Sequence, residues 1–380
     1  MTERVIYLDN SATTFAAPQV ISAVTEYMLH GDFNPSSLHA GGVSAWSRLS
    51  ELRKQISESV SSTACQYDVI FTSGGTESNN LALLGYAHKA RKPAVFLISL
   101  AEHPSVLKLR EPLEKLGAEV RLIPLEKDGQ VSLEFIKKNI GDASLISVTQ
   151  VASETGAVNP LREIVKLRDN LAPNCKIHSD GSQGFLRVSK TLQGVDMYTI
   201  SGHKIHAPKG IAALALRRVA LASATYGGLQ ENSLRAGTEN MPGIVGLAEA
   251  ISLPIWNDMD SVRRRKIHLY ESIKEKIQGI QVNGADPLCG YSAPHILNIS
   301  LPNILGEVFV RALSAEGVYV GTGSACSSKQ AKRKEIYESM GIPQERQKRA
   351  VRISLSPYTT DEDVREAAKS FVKTYRSLAI

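Results

Sequence analysis

Cysteine is scarce in this 380-residue chain: there are four, at positions 65, 175, 289 and 326. No two form a Cys-x-x-Cys pair, which argues against a zinc site and a redox dithiol. So few in so long a chain exclude a disulfide scaffold and fit a reducing compartment. Long apolar runs are also missing, and none approaches the roughly 18 residues of a membrane span. The opening MTERVIYLDN carries charges and lacks the apolar core of a secretory leader, so a cytoplasmic protein without a membrane partner is expected. Charge of one sign is not in great excess: 44 Lys and Arg stand against 38 Asp and Glu. That imbalance is too mild to indicate a nucleic-acid partner, and no nucleic-acid motif accompanies the basic run at 329–334. Repeats and low-complexity segments are absent. What remains is an ordinary globular composition, long enough for two or three folding units at about 150 residues each.

Short apolar runs alternate with helical patterns over the first two thirds. Leu49, Leu52, Ile56 and Val60 share one helical face. Strands are expected at 69–71, 94–99, 119–125, 145–151, 176–180, 197–201 and 211–216. Helices are expected at 77–89, after Pro104, at 132–140 and at 161–171. Buried strands with helices between them predict an α/β domain whose sheet is mostly parallel and flanked by helices, over residues 14–253. Beyond Pro254 the pattern changes. A charged helix at 258–278, strands at 297–301, 318–321 and 351–355, and helices near 305–315 and 330–340 predict a smaller α+β domain over 254–380. Its last helix places Val364, Ala368, Phe371, Tyr375 and Leu378 at helical spacing, and residues 1–13 are expected to pack nearby.

Open α/β sheets bind ligands beyond the carboxyl ends of their strands. Four polar signals fall there. Ser73-Gly74-Gly75-Thr76 joins a strand to a helix, where a glycine backbone and free N–H groups suit an anion, although many such joints are only turns. His103, in LAEHP, also reads as a capping or surface residue. Asp180, in HSDGSQ, also reads as a helix N-cap. Lys204, in SGHKIHAPKG, also reads as a plain loop lysine. Together they are what pyridoxal phosphate needs: an amine for the covalent link, a carboxylate for the pyridine nitrogen, a phosphate cradle, and a ring to lie against.

The chain resembles the cysteine desulfurases of the NifS/IscS type, among the fold-type-I, class-V pyridoxal-phosphate enzymes. The resemblance runs nearly end to end. It is carried by YLDNSATT (7–14), NPSSLHAGG (34–42), FTSGGTESNN (71–80), AEHPSV (101–106), HSDGSQ (178–183) and SGHKIHAPKGI (201–211). It continues through GLQENSLRAGTENMPGIVG (228–246), GSACSS (323–328) and VRISLSPYTTDEDV (351–364). It implies that Lys204 binds the cofactor, Asp180 pairs with its ring nitrogen, Gln183 contacts its phenolic oxygen and His103 stacks on its ring. Gly75, Thr76, Ser201 and His203 would hold the phosphate. Thr238 would reach the phosphate of a neighbouring subunit, which implies a homodimer. Arg352 would bind the substrate carboxylate, assisted by Asn34, and Cys326 would accept the sulfur as a persulfide.

The residues around Cys326 agree with that role. They are small and polar, whereas a structural cysteine keeps apolar company. Lys329, Lys332, Arg333 and Lys334 would favour the thiolate, or form only a solvated face. Cys65, Cys175 and Cys289 lack such a setting and read as structural. The implied reaction converts L-cysteine to L-alanine and a Cys326 persulfide. The persulfide then serves an iron–sulfur scaffold or a tRNA-thiolation enzyme. Lys204 is the expected base, with His103 as its partner. No metal is expected.

The chain departs from the family at Ala152-Ser153-Glu154, where Asn-Asn-Glu is usual, so a hydroxyl at Ser153 replaces an amide beside the cofactor. It departs also at Leu229, where glycine is usual, and at Gly181-Ser182. Rival readings are a selenocysteine lyase or aminotransferase, opposed by Cys326, and a non-catalytic scaffold, opposed by Lys204 and Cys326 together.

Overall fold

A computed structural model describes residues 5–60, 67–90, 93–188, 192–322 and 334–379. Cys65, the GSACSS segment with Cys326, and Lys329, Lys332 and Arg333 lie outside the described residues.

Seven strands form the main sheet: β2 (Asp68–Thr72), β3 (Ala94–Ser99), β4 (Ala118–Ile123), β5 (Leu145–Ser147), β6 (Lys176–Asp180), β7 (Met197–Ser201) and β8 (Ala212–Leu216), in the order β2-β8-β7-β6-β5-β3-β4. Neighbours pair in parallel except β8, which runs against both β2 and β7. This is the expected α/β architecture, and β2, β3 and β8 are apolar on both faces because helices cover both. Val95 and Leu97 of β3 join one core cluster while Ala94, Phe96 and Ile98 join another, and β2 and β8 divide the same way. The helix Ala40–Val60 buries Leu49, Leu52, Ile56 and Val60 in the first cluster, as the spacing predicts. The helix Gly75–Lys89 buries Leu81, Ala82, Leu83 and Ala87 in the second.

A third cluster lies among the remaining elements. Here β9 (Gln281–Val282), β10 (Ile296–Ser300) and β12 (Ala350–Ser354) make an antiparallel sheet in the order β12-β10-β9. β1 (Ile6–Tyr7) pairs in parallel with β11 (Val318–Tyr319). The helices Met259–Lys276, Gly306–Ala315 and Asp361–Leu378 pack against them. The last opens with a capping box between Thr360 and Asp363 and buries Val364, Ala368 and Phe371. Residues Ile336, Tyr337, Met340 and Ile342 return to the large first cluster.

Three strands are shorter than their apolar runs. β4 stops before Pro124. β5 stops at Ser147, after which Val151 bridges Val158 instead. β11 stops at Tyr319, and Gly321 turns to bridge Arg352. A helix at Pro18–His30 was not legible from periodicity: Val20 is buried, but Ile21, Met28 and Leu29 are exposed, so its apolar residues circle the helix.

Candidate active site

The carboxyl ends of β2, β3, β5, β6 and β7 open onto a cavity of about 540 Å³. Its far wall comes from Asp9, Gly321 and Arg352 around the smaller sheets. Ten residues singled out from the sequence line it: Gly75, Thr76, His103, Ser153, Asp180, Gln183, Ser201, His203, Lys204 and Arg352.

Lys204 ends a single 3-10 turn after β7. Its Nζ donates to the carbonyls of Ser11 and Ala12, 2.6 Å from each. Burial, then the charges of Arg352 and Arg187, pull its amine down to about 7, so a large neutral fraction exists near neutrality. Arg187, itself buried, donates to the carbonyls of Ser182 and Lys204 and so joins the Asp180 loop to the lysine loop.

Asp180, at the end of β6, is buried. Its oxygens accept from Asn79 Nδ2 at 2.8 Å and from the Ser182 amide at 2.8 Å. Among the described residues no cation pairs with it, so one buried negative charge faces the cavity awaiting a partner. Asn79, on the first turns of the helix Gly75–Lys89, was overlooked in the sequence although it stands in the FTSGGTESNN segment.

That helix begins at Gly74 with no side-chain cap, leaving its first N–H groups to an external acceptor. Ser201 flanks it: a Cβ on Gly75 would meet Ser182 Oγ at 3.3 Å and Ser201 Cβ at 3.5 Å. Nearby, burial and the charges of Lys204, Lys209 and His103 hold His203 down to about 4, and its Nδ1 lies 3.0 Å from Thr13 Oγ1. His103 has an exposed ring and caps the short helix Pro104–Leu107, with Nδ1 2.8 Å from Ser105 Oγ.

Arg352 rises from the middle of β12. Its Nη2 pairs with Asp9 at 3.0 Å, and its Nη1 lies 3.2 Å from the Ser153 carbonyl and 3.6 Å from Glu154. Burial disfavours its charge, but Glu154 and Asp9 outweigh that and raise its pKa. Its Nε is buried and makes no hydrogen bond among the described residues. Asp9 and Glu154 were not anticipated as its partners, although each lies in a segment compared with the family.

Two expected residues stand elsewhere. Thr238 lines a separate hollow of about 110 Å³ with Arg235 and Glu239. Asn34 is not on the cavity wall, and its side-chain oxygen accepts from the Ser36 amide at 2.9 Å. Cys175 is buried and its thiol is pushed up to about 12 by burial, as befits a structural residue. Among the described residues no cluster of His, Cys, Asp or Glu is placed to hold a metal, and no helix is long and apolar enough to cross a membrane.

The departure at Gly181 has a local cause. A Cβ there would lie 2.0 Å from Cζ of Tyr198, which is fully buried and donates to Gln150. The large ring on β7 takes the space that a larger residue after Asp180 would need.

The residues fit pyridoxal phosphate by their donor chemistry. An unpaired buried carboxylate suits its ring nitrogen, a lysine amine of lowered pKa its aldehyde, and uncapped helical N–H groups its phosphate.

Comparison with known proteins agrees. The family described as Aminotransferase class-V matches residues 6–366. "Cysteine desulfurase IscS 1" of Archaeoglobus fulgidus is 37% identical over 364 residues, 94% of each chain. A solved NifS-like protein from Rickettsia africae superposes with a TM-score of 0.87 at 28% identity, covering 98% of this chain and all of that one. A structure described as SspA in complex with cysteine gives a TM-score of 0.77 at 26% identity, covering 93% and 99%.

Proposed function

Because the chain belongs to the class-V aminotransferase family, we propose that it is a cysteine desulfurase. It would use pyridoxal 5′-phosphate to take sulfur from L-cysteine, giving L-alanine and a persulfide on Cys326. The observation that carries this reading is one cavity. It joins Lys204, Asp180 and His103 at the strand ends to the part-engaged guanidinium of Arg352.

When bound, the cofactor supplies a ring that takes up the charge left as a proton leaves the carbon beside the substrate amine. The chain's own residues do the rest. Lys204 holds the cofactor and, with an amine near pH 7, is suited to accept and return a proton. Asp180 would keep the ring nitrogen protonated, Gln183 and Ser153 would lie beside the ring, and His103 would stack on it. Gly75, Thr76, Ser201 and His203 would hold the phosphate. Arg352, whose guanidinium lines the cavity, would anchor the substrate carboxylate. Asn34 lies outside the wall of this cavity.

We infer a homodimer in which Thr238 completes the partner's phosphate site. The large hydrophobic residues Met28, Leu29, Leu38, Val43 and Trp46, exposed within one stretch of chain, support it. Residues 14–253 would form the cofactor domain, and 254–380, with 1–13 beside it, the smaller domain carrying Cys326. The sulfur would pass in the cytoplasm to an iron–sulfur scaffold or a tRNA-thiolation enzyme.

The test is to supply L-cysteine and a reductant to the purified protein. Equal amounts of alanine and sulfide are expected. Cys326→Ser should retain the cofactor and make almost none of either, because a hydroxyl cannot become a persulfide. Sulfide at the wild-type rate from Cys326→Ser would sink the desulfurase reading.

A further inference from the structure

Gln183 stands in the cavity wall with its amide held at both ends. Its Nε2 lies 2.9 Å from the carbonyl oxygen of Ser11. A backbone carbonyl only accepts, so the atom facing it must be the amide nitrogen, and Oε1 must face the other way. There Oε1 meets Nε2 of His295 at 3.3 Å. An amide oxygen also only accepts, so His295 carries its ring proton on Nε2. The two contacts select the same orientation: the carbonyl takes the amide nitrogen on its side, and the Nε2–H of His295 takes the amide oxygen on the other.

The surroundings of His295 fit that assignment. The ring is fully buried and its Nδ1 has no hydrogen-bond partner. Burial, then the positive charges of Arg187 and Lys266, hold it neutral, well below the ordinary histidine range. A neutral imidazole with a bare Nδ1 has its single proton on Nε2. His295 stands directly before β10, and its carbonyl accepts from the Leu355 amide at 2.9 Å, so the smaller sheet holds it in place.

We propose that His295 is a positioning residue that keeps the amide nitrogen of Gln183, and not its oxygen, turned to the cavity. The amide then donates to an anionic oxygen of the cofactor. Turning the amide over would set N–H against N–H at His295 and oxygen against oxygen at Ser11. One Nε2 proton is used by Ser11, and the second is left for an acceptor in the cavity. The inference rests on the reading of pyridoxal phosphate as the occupant. It adds that a residue from the smaller sheet sets the polarity of the cofactor site without touching the cofactor.

The experiment is equilibrium binding of pyridoxal 5′-phosphate to the full chain at one fixed pH, with thermal unfolding as the check on folding. His295→Phe fills the space without a donor and should raise Kd about tenfold, the loss of one hydrogen bond to a charged acceptor. His295→Gln restores an N–H at a similar reach and should return Kd to within about twofold. In a Gln183→Ala background no amide is left to orient, so adding His295→Phe should shift Kd by less than about twofold. A folded Phe variant with wild-type Kd, or one that weakens binding equally with and without Gln183, overturns the proposal. If the Phe variant does not fold, His295→Asn takes its place. It is polar but too short to reach Oε1, and wild-type affinity in it would be equally fatal. A wild-type chain that binds no pyridoxal phosphate fails at an earlier point and overturns the proposed function itself.

Discussion

Lys204 and Lys209 lie in one loop, yet only Lys204 is folded against the cavity, with its amine on two carbonyls, while Lys209 is exposed. Borohydride reduction of the loaded protein should fix the cofactor to Lys204, and mapping it to Lys209 would refute the assignment. In the cofactor-free chain the Lys204 amine should reach half-maximal reactivity toward an acylating reagent near pH 7, as its lowered pKa requires. Arg352→Leu removes a nearby like charge, so the protonated amine becomes easier to hold and that midpoint should move up; competitive labelling with mass spectrometry reads both. Ser153 lines the cavity, and its carbonyl engages Arg352. Ser153→Asn exchanges a hydroxyl for an amide at the cavity wall and leaves that carbonyl in place. Turnover should change by about tenfold or less with cofactor retained, and steady-state rates check it. The residues legible from sequence were those announced by a strand end and a glycine-rich segment, such as Lys204, Asp180 and Gly75. The second layer was not: Asp9 reaches Arg352 across 343 positions and His295 reaches Gln183 across 112, separations that only the folded topology closes.

Strands β3, β6 and β7 have the expected bounds, β3 as a nearly unbroken apolar run, β6 although it buries His178, Ser179 and Asp180 inside the sheet. The run at 119–125 overreaches because Pro124 ends the ladder, and those at 145–151 and 318–321 because Val151 and Val320 stay apolar at the cavity wall after the ladder has ended. The turn after β6 shows a constraint visible only across elements, since Tyr198 of β7 requires glycine at 181. Gly181→Ala should cost about 1–3 kcal/mol in urea unfolding and weaken cofactor binding, since the strain falls beside Asp180. In the helix Met259–Lys276, Lys266 is fully buried with Nζ 2.7 Å from both Ser292 Oγ and the Ala293 carbonyl. Burial, then Arg263, lowers its pKa from 10.5 to about 7. The unfolded chain therefore binds more protons between those values, and stability from this group is complete above 10.5 and lost as the pH falls through 7. The stability difference between wild type and Lys266→Met should rise in favour of wild type from pH 7 to pH 10. A difference that is flat or falls with pH would contradict the buried-amine account.

On the scale of the whole molecule, the exposed apolar residues around Leu38, 97% accessible, and Trp46, 61% accessible, are ill suited to a monomer. Sedimentation should find a dimer, and Leu38→Asp with Trp46→Asp should yield folded monomers with weakened cofactor retention. The first residues tie the two sets of sheets together. β1 pairs with β11, Asn10 donates to the Ser354 carbonyl of β12 at 2.9 Å, and one residue later the chain meets Lys204. Of the two carbonyls that receive the lysine amine, Ser11 is shared with Gln183, whereas Ala12 accepts no other hydrogen bond among the described residues. Withdrawing the amine thus leaves one carbonyl bare and the other still engaged. Carbon-13 placed at these adjacent positions makes a differential gauge: the Ala12 stretch should move to higher frequency while the Ser11 stretch moves less. Infrared spectroscopy could then follow what holds the lysine in the intact protein, without a coloured ligand or a bulky reporter group.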